Sequence, residues 1–350
     1  MTSAIGYAAL SNEAPLAPFD FERRALRDND VSIRIEYCGV CHSDLHQARN
    51  DWKGSQYPIV PGHEIVGRVT AVGSAVTRHA VGDAVAVGCM VDSCHACDQC
   101  EKGHEQHCRK GNTPTYNGRD RITGEPTFGG YSDHVVVREE FVLKMPAGLD
   151  MARAGPLLCA GITTWSPLKH WNIGPGMRVA VAGLGGLGHM GVKFAVGLGA
   201  DVTVITTSPA KTADARALGA SRVLISTDRD AMKAANGTFD FILDTIPVGH
   251  DMMPYLRLLG PDGTVVVVGA IDQLPAINSA LLIGGRKSLA GSVIGGIPET
   301  QEMLDFCAEK GILPECEMIR IQEINHAYER MERSDVKYRF VIDMASLKAN

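Results

Sequence analysis

Residues Met177 to His189 read MRVAVAGLGGLGH, and this stretch decides the architecture. A short apolar run rich in Val comes first. Gly183-Leu-Gly185-Gly186-Leu187-Gly188 then fits G-x-G-x-x-G, and an apolar helical pattern, HMGVKFAVGLG, follows from His189. A glycine-rich turn alone carries little information. Between a strand and a helix it is the fingerprint of a dinucleotide-binding turn. The glycines let the backbone approach a pyrophosphate, and the helix N-terminus favours its negative charge. Gly183, Gly185, Gly186, Leu187 and Gly188 are therefore candidate cofactor-binding residues. The competing reading is a plain strand–turn–helix.

On the C-terminal side the texture stays α/β. After MRVAVAG come ADVTVIT, SRVLIS, FDFILDT, GTVVVVGA and KSLAGSVIG, making six candidate strands with helical or loop material between. Near-continuous Val/Ile runs suit a parallel sheet buried on both faces. Six strands are what a complete doubly wound dinucleotide-binding fold needs. The second strand ends in Thr206-Thr207-Ser208, with Lys211 just beyond. A carboxylate there would bond the ribose hydroxyls of NAD. Hydroxyls and one ammonium instead suit a 2′-phosphate, so NADP(H) is favoured over NAD(H). The alternative is a polar turn with a solvated lysine.

On the N-terminal side, residues 31–150 are short apolar runs broken by Gly, Pro and Asp. VSIRIEYCGV, EIVGRVTAVG, DAVAVGC and YSDHVVV read as strands of an antiparallel β structure. Beyond Gly291, PETQEMLDFCAEKG and INHAYERMER read as amphipathic helices and YRFVID as a strand. The expected division is a β domain over 1–153, completed by 291–350, and a Rossmann domain over 154–290.

Two domains also fit a chain of 350 residues. A net charge of −6 gives no basic footprint for nucleic acid and no pull toward an anionic membrane. No apolar run reaches the roughly 18 residues of a membrane span. The N-terminus lacks the pattern of a secretory signal, so a cytoplasmic location is expected. Thiols stay reduced there, and clustered cysteines point to metal rather than disulfides.

VDSCHACDQCEKGHEQHCRK, residues 91–110, holds Cys94, Cys97, Cys100 and Cys108. Four thiolates so spaced suit a closed tetrahedral zinc site, structural because no position is left for substrate. A redox switch or an iron–sulfur cluster is the functional alternative. His95, His104 and His107 are expected at the surface or behind the ligands. A catalytic zinc needs three protein ligands and an open position, and these need not be close in sequence. Cys41 in GVCHSDLH, His63 in PGHE and Cys159 in LLCAG are candidates, each weak alone. Cys38, Cys89, Cys307 and Cys316 read as packing residues.

GVCHSDLH, VPGHEIVG, the four-cysteine cluster, LLCAGITTWSPL and GLGGLGH occur in this order at fitting separations. Together they resemble the zinc-dependent medium-chain alcohol dehydrogenases. Within these the chain is most similar to the cinnamyl alcohol dehydrogenase family, including its broad-range NADPH-dependent aldehyde reductases. GSVIGGIPETQEMLDF and DVKYRFVID extend the likeness over essentially the whole chain.

The resemblance implies an α/β fold: a GroES-like β domain, with the tail folding back into it, plus a Rossmann domain. It implies a homodimer, two zinc ions per chain and reversible conversion of alcohols to aldehydes with NADP(H). Cys41, His63 and Cys159 match the catalytic zinc ligands. Glu64 matches a carboxylate near the metal, and Asp44 an acceptor that orients His63. Ser43 and His46 match a proton relay, His42 a position near the cofactor pyrophosphate and Thr163 a cofactor contact. Thr206, Thr207, Ser208 and Lys211 match the 2′-phosphate grip, although relatives often carry an arginine where this chain has Thr207. Trp52 and Met90 are candidates for the substrate pocket because they lie near these motifs in sequence. The competing readings are an NAD-linked alcohol or polyol dehydrogenase, which commonly has a carboxylate as third ligand, and a non-catalytic zinc-binding relative.

Overall fold

Strand Asp30–Val40 runs through the middle of a sheet, and its apolar positions show why. Val31 and Ile33 have no exposed surface and Ile35 is 4% exposed, so the alternating side chains enter a core. The computed structural model describes residues 1–269 and 272–348. It divides into two units. One comprises Met1–Cys159 with the tail from Gly295, the other Ala160–Ile294.

In the first unit seven strands form one sheet. The order is Cys316–Arg320, Arg339–Asp343, Asp30–Val40, Ile65–Val72, Ala84–Val87, Leu143–Lys144, with His134–Arg138 also paired to Asp30–Val40. All pairings are antiparallel except Cys316–Arg320 with Arg339–Asp343. The tail thus supplies two strands to a sheet begun near the N-terminus. Its register sets Ile342 opposite Cys38 and Val341 opposite Gly39, just ahead of Cys41. A further hairpin, Thr2–Ala8 with Ala17–Arg23, has only weak apolar alternation and was not foreseen from sequence.

In the second unit six parallel strands run in the order Arg222–Ile225, Asp201–Thr206, Arg178–Ala182, Phe239–Asp244, Leu259–Val267, Ser288–Gly291. This is the doubly wound order 3-2-1-4-5-6, with its switch point between Arg178–Ala182 and Phe239–Asp244. The six strands correspond to the six expected runs; Ala270, at the end of GTVVVVGA, lies outside the described residues. Val179, Ala180, Val181 and Ala182 are wholly buried, as a strand covered on both faces must be. Helix Gly188–Gly197 packs Phe194 edge-on against Trp165 of helix Ala160–His170, with ring centroids 5.3 Å apart. Such a pair contributes about 0.5–1.5 kcal/mol beyond the area it buries. Among the described residues no helix is long and apolar enough to cross a membrane.

Candidate active site

Where strand Asp30–Val40 ends, Cys41 turns the chain into helix His42–Ala48. The Cys41 N–H donates to Asp44 Oδ2 at 3.0 Å, closing that turn. Asp44 Oδ1 accepts the Gly62 N–H at 3.0 Å and lies 3.0 Å from His63 Nδ1. The Tyr131 hydroxyl donates to Oδ2 at 3.2 Å. Asp44 has no exposed surface, and these donors, with the Tyr116 side chain beside them, serve both its oxygens. With Nδ1 held by Asp44, Nε2 is the nitrogen His63 has left to offer.

The third element arrives from far along the chain. A 3₁₀ turn, Gly155–Leu158, delivers Cys159, whose Sγ lies 3.8 Å from Cys41 Sγ. One ligand atom from each of Cys41, His63, Glu64 and Cys159 lies within 4.8 Å of the others. Hydrogen bonding between the two thiols lowers Cys41 and raises Cys159, so the pair favours one thiolate and one thiol. Glu64 is fully buried and Arg339, 5% exposed, donates to its Oε1. Burial pushes Glu64 up to about 7 against the pull of that guanidinium. Its Oε2 has no hydrogen-bond partner. Two sulfurs, an imidazole nitrogen and an orphaned buried carboxylate oxygen are a donor set that fits zinc.

Around this cluster, the Cys41 thiol lies 3.6 Å from Ser43 Oγ. His46 Nδ1 is 2.8 Å from Asp51 Oδ2, and its ring lies 5.1 Å from that of half-buried Trp52. His42 is exposed, and Met90 is buried in the short strand Met90–Asp92. Sequence reasoning missed three neighbours. Arg339 comes from the tail, Tyr131 sits behind Asp44, and the Tyr116 ring lies 5.8 Å from that of His63. Cys89, expected only to pack, has its thiol against Cys159. Tyr131, Tyr116 and Cys89 belong to no ligand motif, and nothing in DVKYRFVID marks Arg339 as the partner of Glu64, so only long-range pairing could have revealed them.

Cys94, Cys97, Cys100 and Cys108 also bring their sulfurs within 4.8 Å of one another. Backbone N–H groups of Cys94 and Arg109 donate to Cys108 Sγ and Cys97 Sγ, each at 3.4 Å, and such bonds favour thiolates. For Cys97 they hold the thiol down to about 6. His95, His104 and His107 are exposed, and His95 Nε2 pairs with Asp92 at 2.7 Å.

In the second unit the glycine turn has three distinct geometries. Gly183 takes φ +92°, open to glycine at little cost. A Cβ on Gly188 would lie 2.1 Å from the Gly183 carbonyl oxygen, so close helix–strand packing requires glycine there. A Cβ on Gly185 would meet nothing within 4 Å, leaving open space over the backbone. That is a cradle a pyrophosphate can enter. Gly186 and Leu187 complete the turn, and Leu187 caps helix Gly188–Gly197. The Thr245 hydroxyl donates to the Ala182 carbonyl at 2.8 Å across the switch point. Thr206 is buried, and its Oγ1 accepts the Ser208 N–H at 3.2 Å, while Thr207 is exposed. Lys211 Nζ donates to the Leu184 carbonyl at 2.8 Å, tying the two turns together. Thr163 is buried on helix Ala160–His170.

A GroES-like sheet carrying a Cys/His/Cys/Glu cluster, with a doubly wound sheet carrying a glycine turn, defines a metal- and dinucleotide-binding dehydrogenase. Family models agree: "Alcohol dehydrogenase GroES-like domain" matches residues 27–147 and "Zinc-binding dehydrogenase" matches 186–309. Aldehyde reductase YahK of Escherichia coli (strain K12) is 54% identical over 343 residues, 97% of each chain. The solved cinnamyl alcohol dehydrogenase SbCAD4 of Sorghum bicolor superposes with a TM-score of 0.96 at 45% identity, covering 100% of this chain and 99% of that one. A CAD from Helicobacter pylori, solved complexed with NADP(H), gives 0.92 at 40% identity, covering 98% and 99%. The chain belongs to the zinc-binding alcohol dehydrogenases of the cinnamyl alcohol dehydrogenase type.

Proposed function

We propose that the protein interconverts primary alcohols and aldehydes with NADP(H): alcohol + NADP⁺ ⇌ aldehyde + NADPH + H⁺. Aldehyde reduction is the direction favoured in a cytoplasm rich in NADPH, and aromatic and aliphatic aldehydes are the substrate class. The observation that carries this reading is the convergence of Cys41, His63 and Cys159, from three distant segments, beside Glu64. When bound, zinc supplies a Lewis acid for the substrate oxygen and NADP(H) supplies or accepts the hydride.

Cys41, His63 and Cys159 hold the metal, and Asp44 fixes the imidazole and the Cys41 turn. Ser43, next to that thiol, takes the alcohol proton and passes it on toward His46. Asp51 holds His46 Nδ1, so the imidazole can exchange the proton with solvent. Glu64, with one oxygen unpaired, would stand ready as a further oxygen donor to the metal. Trp52 lies against His46 and Met90 follows Cys89 in sequence, which supports a place for both along the substrate pocket.

The four-cysteine lobe holds a second, structural zinc. The glycine turn carries the pyrophosphate, with His42 and Thr163 as further cofactor contacts. Thr206, Thr207, Ser208 and Lys211 select the 2′-phosphate; no carboxylate stands among residues 206–211 to repel it. A cytoplasmic homodimer completes the reading, and none of the ten cysteines is in a disulfide.

The test is loss of the reduced-nicotinamide absorbance with a panel of aldehydes, using NADPH and NADH, on the native enzyme and on His63→Ala. Turnover with NADPH, weaker turnover with NADH and none in the variant are expected. No turnover with any carbonyl would make this a non-catalytic relative.

A further inference from the structure

We propose that Tyr131 is a positioning residue for the catalytic metal, acting through Asp44 on both Cys41 and His63; this rests on the catalytic-zinc reading above. The case begins with the backbone. Residues 129–131 hydrogen-bond to the carbonyls of 60–62: Gly129 N–H to Val60 at 2.7 Å, Gly130 to Gly62 at 2.8 Å and Tyr131 to Pro61 at 3.0 Å. Tyr131 is thus strapped to the turn that presents His63. The Tyr7 N–H donates to its carbonyl at 2.9 Å and locks the strap from the outer side.

The ring completes the placement. Tyr131 has no exposed surface. Gly62 stands at φ +103°, and a Cβ there would lie 2.7 Å from Tyr131 Cδ1, so the ring occupies the space a side chain would fill. From that seat its hydroxyl donates to Asp44 Oδ2 at 3.2 Å. The same oxygen accepts the Cys41 N–H, while Oδ1 serves Gly62 and His63. One carboxylate therefore sets the direction of two metal ligands, and Tyr131 supplies a hydroxyl donor to it, with the Tyr116 side chain also against that carboxylate.

Without that hydroxyl Asp44 Oδ2 keeps the Cys41 N–H and loses one buried hydrogen bond. Asp44 is then free to shift toward its remaining donors. The imidazole and the Cys41 turn shift with it, and metal affinity falls. Outer residues that orient metal ligands typically change affinity by about 10–100-fold.

The experiment uses the zinc-loaded full-length enzyme and its Tyr131→Phe variant. Zinc transfer to a chromogenic chelator is followed in time, with NADPH binding and thermal unfolding measured alongside. Loss from the three-ligand site is expected to quicken by about tenfold in the variant. Loss from the four-cysteine site, NADPH affinity and the thermal midpoint should remain native-like. A cobalt-substituted sample should show an altered visible ligand-field spectrum at the three-ligand site. Native release from that site together with a native cobalt spectrum would overturn the proposal. Equal acceleration at both sites would reduce Tyr131 to a general structural role and overturn it as well. His63→Ala separates the two readings: if it keeps both metals, the catalytic-zinc assignment fails whatever Tyr131 does.

Discussion

Gly185 and Gly188 lie three residues apart in one motif, yet they do different work. A side chain at Gly188 would collide with the Gly183 carbonyl, whereas one at Gly185 would stand in open space. Gly188→Ala should therefore damage the fold itself, at about 1–3 kcal/mol or more for overpacking a rigid site. Gly185→Ala should change stability by less than about 0.5 kcal/mol and still weaken NADPH binding, because its methyl group occupies the cradle. Chemical denaturation and NADPH fluorescence titration on both variants check this. Equal stability losses would mean that the turn has no open face. The motif is legible as a pattern, but which glycine packs and which receives is visible only in three dimensions.

The four-cysteine lobe acts beyond its own loop. Glu105 lies between the last two cysteines, and its Oε2 accepts the Ile297 N–H at 3.0 Å, at the start of helix Ile297–Lys310. A carboxylate there satisfies an orphan amide and complements the helix dipole. Farther along, the Gln301 side chain bonds both the N–H and the carbonyl of Lys144, at 2.9 and 3.0 Å. The lobe thus fixes the first turn of the helix by which the tail enters the first unit. Cys100→Ser should lower zinc content by one per chain and speed amide exchange in the first turn of Ile297–Lys310. Helix Gly188–Gly197 should keep native protection. Unchanged exchange at Ile297 would show that the lobe closes on itself alone. The gathering of the four cysteines was legible because their spacing is local. The grip on the helix was not, since Glu105 and Ile297 are distant in sequence and neither belongs to a pattern.

At the scale of the molecule, one unit is continuous in sequence and the other is not. Residues 160–294 contain their whole sheet. Met1–Cys159 lacks the strand that borders residues 37–40 and lacks Arg339, the partner of buried Glu64. A fragment of residues 160–294 should fold and bind NADPH. A fragment of residues 1–159 should show no cooperative unfolding, because it bares a sheet edge and leaves a carboxylate buried without its ion-pair partner. Circular dichroism melts of the two fragments decide it; a cooperative melt for residues 1–159 would mean that the tail is dispensable. The six-strand run was plain in sequence because parallel strands are apolar throughout. The first unit was harder to read. Its sheet closes with strands about 300 residues from where it begins, and Arg339 reaches the site only through that closure.

The two sulfurs of Cys41 and Cys159 stand 3.8 Å apart, and a disulfide needs them at about 2 Å. If these two thiols hold the metal as proposed, a preparation stripped of it and left in air would be exposed to cross-linking of the pair, and added zinc would then restore nothing until a thiol reductant reopened it. On that reading the metal would be a preservative as well as a reagent. The order of additions during purification, reductant before chelator and zinc before air, decides whether the isolated enzyme can be reactivated.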